Sequence, residues 1–119
     1  MRIAVPTEGK RGKDERVAEH FGRCETFTVF DDKGNFQEVI ENTSQHQGGQ
    51  GMPPELLKSH QIDILVCKGL GPNAIQLCEA LGVEVYLADA EGAQQMVAAW
   101  AGKKAKKASR DDGCQDHHH

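Results

Sequence analysis

The chain has 119 residues, a formal net charge of −4, and 38% apolar against 27% charged residues. That length gives one domain, large enough to bury a core without disulfide or metal staples, and the mild acidity argues against nucleic acid as the main partner. No apolar run approaches membrane-spanning length, and Met1-Arg2-Ile3-Ala4-Val5-Pro6 reads as a strand rather than a signal peptide. We therefore expect a cytoplasmic protein whose four cysteines (Cys24, Cys67, Cys78, Cys114) stay reduced.

Ile3 and Val5 alternate up to Pro6 and predict a first strand. Residues 7–19 are charged, carry Gly9 and Gly12, and predict a mobile loop. Thr26-Phe27-Thr28-Val29-Phe30-Asp31 is a strong β pattern. The Asp32-Lys33-Gly34-Asn35 turn then returns the chain as a third strand over residues 36–41, making a hairpin. Residues 42–51 read as loop. Pro53 and Pro54 suit a helix start, Leu56 and Leu57 supply its buried face, and His60 ends it, where a positive charge complements the dipole.

Residues 62–67 form an apolar run interrupted by Asp63, as expected of a central parallel strand. Gly71-Pro72 opens a second helix with Ala74, Leu77, Cys78 and Leu81 on one face, and Gly82 stops it. Residues 83–88 give a fifth strand. Ala93, Met96, Val97 and Trp100 give a third helix. The basic residues of 103–110 read as its solvated extension, with docking to an acidic partner as a lesser alternative.

The order β-β-β-α-β-α-β-α predicts an α/β fold. Its mixed five-stranded sheet should run 3-2-1-4-5 with strand 2 antiparallel and helices on its faces. Residues 1–102 would be the domain, and residues 103–119 a basic helix extension with a Cys/His-rich tail. In such a sheet the first and fourth strands diverge at a switch point, where ligands favour the crevice beyond the strands' carboxyl ends. Topology brings the loop after Pro6, residues 20–24 and the turn at 67–72 to that crevice, with His46, in the loop before the first helix, within reach of it.

Two stretches there carry chemistry. In Glu19-His20-Phe21-Gly22-Arg23-Cys24, an imidazole and a thiol that suit the same metals lie four positions apart, with Gly22 allowing close approach. Nothing nearby supplies a hydrolytic triad. His20 is a metal ligand or a surface histidine packing on Phe21. Cys24 and Cys67 are thiolate ligands or buried free cysteines, and Cys78, on a helix stripe, is core.

In Cys67-Lys68-Gly69-Leu70-Gly71-Pro72-Asn73, glycines between strand and helix expose helix N-terminal N–H groups that favour an anion. The alternative is a plain turn that needs glycine for positive φ. The dinucleotide and phosphate-loop patterns both fail here. At the end of the chain, Cys114, Asp116, His117, His118 and His119 gather ligand chemistry. They read either as a tag remnant or as a native metal-binding tail.

Ile3-Ala4-Val5-Pro6, the Glu19 to Cys24 stretch, Lys68-Gly69-Leu70-Gly71-Pro72-Asn73-Ala74 and Gly82-Val83-Glu84-Val85-Tyr86 together resemble the dinitrogenase iron–molybdenum cofactor biosynthesis family. That family includes proteins like NifX and the C-terminal domain of NifB. The resemblance covers nearly all of residues 1–102. It implies a ribonuclease H-like three-layer α/β/α fold and binding of iron–sulfur or iron–molybdenum cluster precursors. His20 matches the family histidine suspected of touching cluster metal. Cys24 lies where many members carry a small residue. Lys68 replaces the first glycine of the family's usual pair, a change that favours a more anionic ligand or is neutral. Some members also end in Cys and His, which favours a native tail.

The leading expectation is a cluster carrier rather than an enzyme, handing its cargo between donor and acceptor proteins. It would be a monomer, or at most a weak homodimer. His20, Phe21, Gly22, Cys24, Cys67, Gly69 and Gly71 would hold the cluster. Metal would sit on His20 and Cys24, with a divalent metal on Cys114, His117, His118 and His119. The alternatives are an anion- or nucleotide-binding regulatory module using the turn at 69–73, and simple metal binding by the tail. A ribonuclease H-like nuclease is disfavoured because the first strand carries no carboxylate.

Overall fold

The computed structural model describes residues 1–43 and 53–108. The chain runs β1 (Arg2–Thr7), β2 (Thr26–Asp31), β3 (Phe36–Glu41), α1 (Pro53–Ser59), β4 (Ile64–Cys67), α2 (Pro72–Ala80), β5 (Glu84–Leu87), α3 (Ala93–Ala101) and β6 (Lys106–Lys107). Short 3₁₀ turns lie at Gly12–Asp14 and Phe21–Arg23. The strands form one mixed sheet in the order β3-β2-β1-β4-β5-β6. The β1–β4 and β4–β5 pairs are parallel, and the others are antiparallel. The sheet therefore has six strands where five were expected.

Strand alternation divides the core into two halves, because successive side chains point to opposite faces. Ala4, Phe27, Val29, Leu65, Cys67 and Val85 turn to one face and meet Leu57 of α1 and Ile75 and Cys78 of α2. Ile3, Val5, Phe30, Ile64 and Val66 turn to the other and meet Ala93, Met96 and Val97 of α3. Helices thus cover both faces. That is why β4, buried at all four positions, reads as a continuous apolar run. Each fully buried side chain such as Leu57 or Met96 contributes roughly 1.5–3 kcal/mol through burial.

The β2–β3 hairpin closes as its sequence predicts. Asp31 Oδ1 accepts hydrogen bonds from the backbone N–H groups of Lys33 and Asn35, each at 2.9 Å. Gly34 supplies the left-handed residue at φ +86°. Gly82, at φ +81°, ends α2 in the same way, with Val83 N donating to Cys78 O at 2.8 Å.

Three expectations need correction. The segment 7–19 is packed rather than loose: Val17 bridges to Thr7, Arg16 bridges to Gly92, and Val17 and Glu15 are buried. Asp63 is exposed and stands outside β4, where its Oδ2 accepts the Arg2 N–H at 2.9 Å. The basic run after α3 does not extend that helix. Lys103 adopts φ +60°, Lys104 N closes on Ala99 O at 2.8 Å, and the chain returns as β6 against Tyr86 and Leu87. Ala108 then inserts into the core at 3% exposure, its N–H bonded to Val85 O.

The carboxyl ends of β1 and β4 and the start of β2 meet at one end of the sheet, since Thr7 pairs with Thr26 and β1 runs parallel to β4. Three buried threonine hydroxyls hold that corner. Thr7 Oγ1 lies 2.7 Å from Thr26 Oγ1 and 2.9 Å from Thr28 Oγ1.

Candidate functional site

A cleft of about 580 Å³ opens at this end of the sheet. Glu19, His20, Phe21, Gly22 and Arg23 line one wall, and Lys68, Gly69, Leu70, Gly71 and Ala74 line the other, with Pro53 and Pro54 of α1 beside them. The two chemistry-bearing stretches, far apart in sequence, therefore face one another. This is the switch-point crevice that the strand order predicts.

His20 is exposed at the head of the 3₁₀ turn, and its carbonyl accepts the Arg23 N–H at 3.2 Å. Phe21 anchors that turn. It is buried, and its ring lies 5.7 Å from that of Phe27. Gly22 and Gly71 keep the walls bare, for a Cβ at either would meet nothing within 4 Å. Neither they nor Gly69 takes a positive φ. The turn itself thus does not demand these glycines; they leave room in the cleft.

Gly71 caps α2 with no side-chain hydrogen bond, Pro72 follows in the first turn, and Ile75 N bonds back to Gly71 O at 3.1 Å. The amides of Asn73 and Ala74 precede that ladder and bring the positive end of the helix dipole to the cleft. Lys68 Nζ lies 2.8 Å from Glu19 Oε2 and 3.7 Å from Glu91 Oε2. The hydrogen bond from Lys68 holds the Glu19 carboxyl below its ordinary range, and the same contact raises Lys68. Sequence reading did not find this pair, because no local pattern links residues 49 positions apart.

The cysteines lie elsewhere. Cys24 is 2% exposed, behind a neighbouring hollow that His20 and Glu25 also line. Burial pushes its thiol up to about 12, although Asn42 hydrogen-bonds to it. Cys67 and Cys78 pack in the core, and burial likewise pushes Cys78 up to about 12. Among the described residues no three His, Cys, Asp or Glu side chains gather to hold a metal ion. His46, Cys114, His117, His118 and His119 lie outside the described residues.

Several known proteins are similar to this chain. The protein MJ0580 of Methanocaldococcus jannaschii is 27% identical over 112 residues, covering 90% of this chain and 91% of that one. The apo form of the orange protein from Desulfovibrio gigas is similar at a TM-score of 0.80 and 27% identity, over 90% of this chain and 92% of that one. A Thermotoga protein described as a candidate NifB (TM1290) is similar at a TM-score of 0.74 and 29% identity, over 89% and 91% of the two chains. A family model described as dinitrogenase iron-molybdenum cofactor matches residues 1–114. The chain belongs to that family.

Proposed function

We propose that this protein is a carrier that takes up and releases an iron–sulfur or iron–molybdenum cluster, or a precursor of one, in the cleft between His20 and the start of α2. The observation that carries the reading is that cleft itself. One wall offers an exposed imidazole, the facing wall offers helix N-terminal amides, and the glycines of both leave space between them. His20 would coordinate metal, and the amides near Gly71 would donate to anionic sulfide, as hydrogen bonds do around such clusters. One side-chain ligand and a set of backbone donors make a reversible hold, which suits cargo that must leave again.

The reading assigns the chain no catalytic step. Its partners would be the donor and acceptor proteins of cofactor assembly, met by a monomer in the cytoplasm, where thiols stay reduced. We also read the α/β/α layering as ribonuclease H-like. Cys24 and Cys67 would join as ligands only if the wall at Cys24 or the end of β4 opened, since both are buried.

Anaerobic reconstitution with iron and sulfide tests the proposal, with absorption and iron counting on the wild type, on His20→Ala, and on a chain ending at Ser109. Cluster absorption that survives the shortening but is lost in His20→Ala is the expected result. Binding lost only on shortening would move the metal chemistry to Cys114 and His117 through His119. The uncapped start of α2 favours one other reading, a small-anion module, which would stand if no form took up iron.

A further inference from the structure

We infer that Lys68 is an anion receptor that exchanges partners, its ammonium passing from Glu19 to a polyanionic cargo. The inference rests on the cleft being the cargo site, and it names the charge class that the site selects and the means of release. Lys68 directly follows β4, and its side chain is only 10% exposed, whereas Glu19 and Glu91, its two carboxylate partners, are 65% and 72% exposed. The cation is therefore fixed and its counter-ions are movable.

The charged side chains lining the cleft are Lys68, Arg23 and Glu19, so Glu19 is the carboxylate that an entering anion must displace. Solvent lies open to Glu19 when it swings away. The amides at the start of α2 meet the same space and add to the pull on negative charge. A divalent cation would instead meet the Lys68 ammonium. Glu19 then competes for Lys68 in every binding event. That competition weakens the hold and gives the cargo a route out.

The test uses the full chain and its Glu19→Gln, Lys68→Met and double variants. The first probe is inorganic phosphate at low salt, read from the amide NMR signals of Gly69, Gly71, Asn73 and Ala74. Glu19→Gln should tighten phosphate binding about 3- to 10-fold, and Lys68→Met should weaken it about tenfold, as expected for charge-assisted hydrogen bonds. In the Lys68→Met background the gain from Glu19→Gln should vanish. Weakening by both single variants, with matched losses in melting temperature, would make the pair a mere strap between the walls and overturn the proposal. So would the absence of phosphate binding in both the wild type and Glu19→Gln.

The second probe is the iron–sulfide cluster assembled anaerobically. Failure of the wild type to take it up, with the phosphate pattern intact, would overturn the carrier reading and leave this one standing. Equal cluster retention by all four proteins would overturn this inference alone.

Discussion

Asn42 Nδ2 donates a 2.9 Å hydrogen bond to the Cys24 carbonyl and lies 3.6 Å from the Cys24 sulfur. Both residues are buried, and Asn42 N also donates to Glu25 O at 2.9 Å. One amide side chain thus ties the segment after β3 to the turn that presents His20, and it fixes the thiol inside the wall. Ionising that thiol in place is costly, because burial pushes it to about 12.

Asn42→Leu should therefore destabilise the fold by about 1–3 kcal/mol, the cost of losing the buried amide's hydrogen bonds to the Cys24 carbonyl and sulfur. Urea denaturation measures the loss. Labelling of Cys24 by a disulfide reagent under native conditions should become faster in the variant. An unchanged labelling rate would mean that the amide does not guard the sulfur.

Alkaline conditions should also lower stability, with a definite sign. The thiols of Cys24 and Cys78 are pushed by burial from 9.0 to about 12. The folded state thus keeps protons that the unfolded chain loses. Their contribution is complete below pH 9 and fades as pH rises toward 12. Urea midpoints between those limits should fall with pH. The fall should be shallower in a Cys24→Ala, Cys78→Ala variant after its lower starting stability is allowed for.

Glu15 gives the opposite dependence. Burial opposes its ionisation, but the N–H groups of Arg11 and Arg16 and the Arg11 guanidinium outweigh this and hold its carboxyl below the ordinary range. Those N–H groups approach at 3.1 and 2.8 Å. The contribution is present above pH 4.5 and is lost as pH falls through the depressed value. Glu15→Gln should flatten the acid limb of a stability–pH curve. Gly9→Ala should destabilise this loop by about 1–3 kcal/mol through overpacking, because its Cβ would lie 2.6 Å from Glu15 Oε1.

What the sequence disclosed follows from the range of the forces involved. Alternation in Ile3 to Val5 and the continuous run at 64–67 are local signals of burial, so β1 to β5 and their order were legible and β6 was not. The cleft was legible because glycines beside a helix start, and a histidine two positions before Gly22, mark places where the chain keeps space. The packing of Glu15 and Val17 was not, because a charged, glycine-bearing segment looks solvated until the backbone of residues 91–92 arrives to bond it. The Lys68–Glu19 pair was hidden for the same reason. Lys106 and Lys107 misled in another way, since lysine suits an exposed edge strand as well as a solvated helix face.

Gly22→Ala separates fold from function at the cleft. The added methyl meets nothing within 4 Å, so stability should change by no more than about 0.5 kcal/mol. Cluster uptake should fall, because the methyl projects where cargo would sit. Normal uptake with normal stability would place the cargo away from this wall.

Shortening the chain tests the sixth strand. A chain ending at Lys104 loses both β6 residues and Ala108, whose N–H bonds to Val85 O at 2.8 Å and whose side chain is buried against the α1–α2 face. It also leaves β5 as an uncovered edge. A chain ending at Ser109 keeps all of these contacts. The shorter chain should be less stable by about 1–3 kcal/mol, the sum of a lost buried hydrogen bond and a small cavity, and the longer one should match the full protein. Equal urea midpoints for the two shortened chains would show that β6 adds nothing to the sheet. A loss already complete at Ser109 would instead assign the stabilisation to residues 110–119.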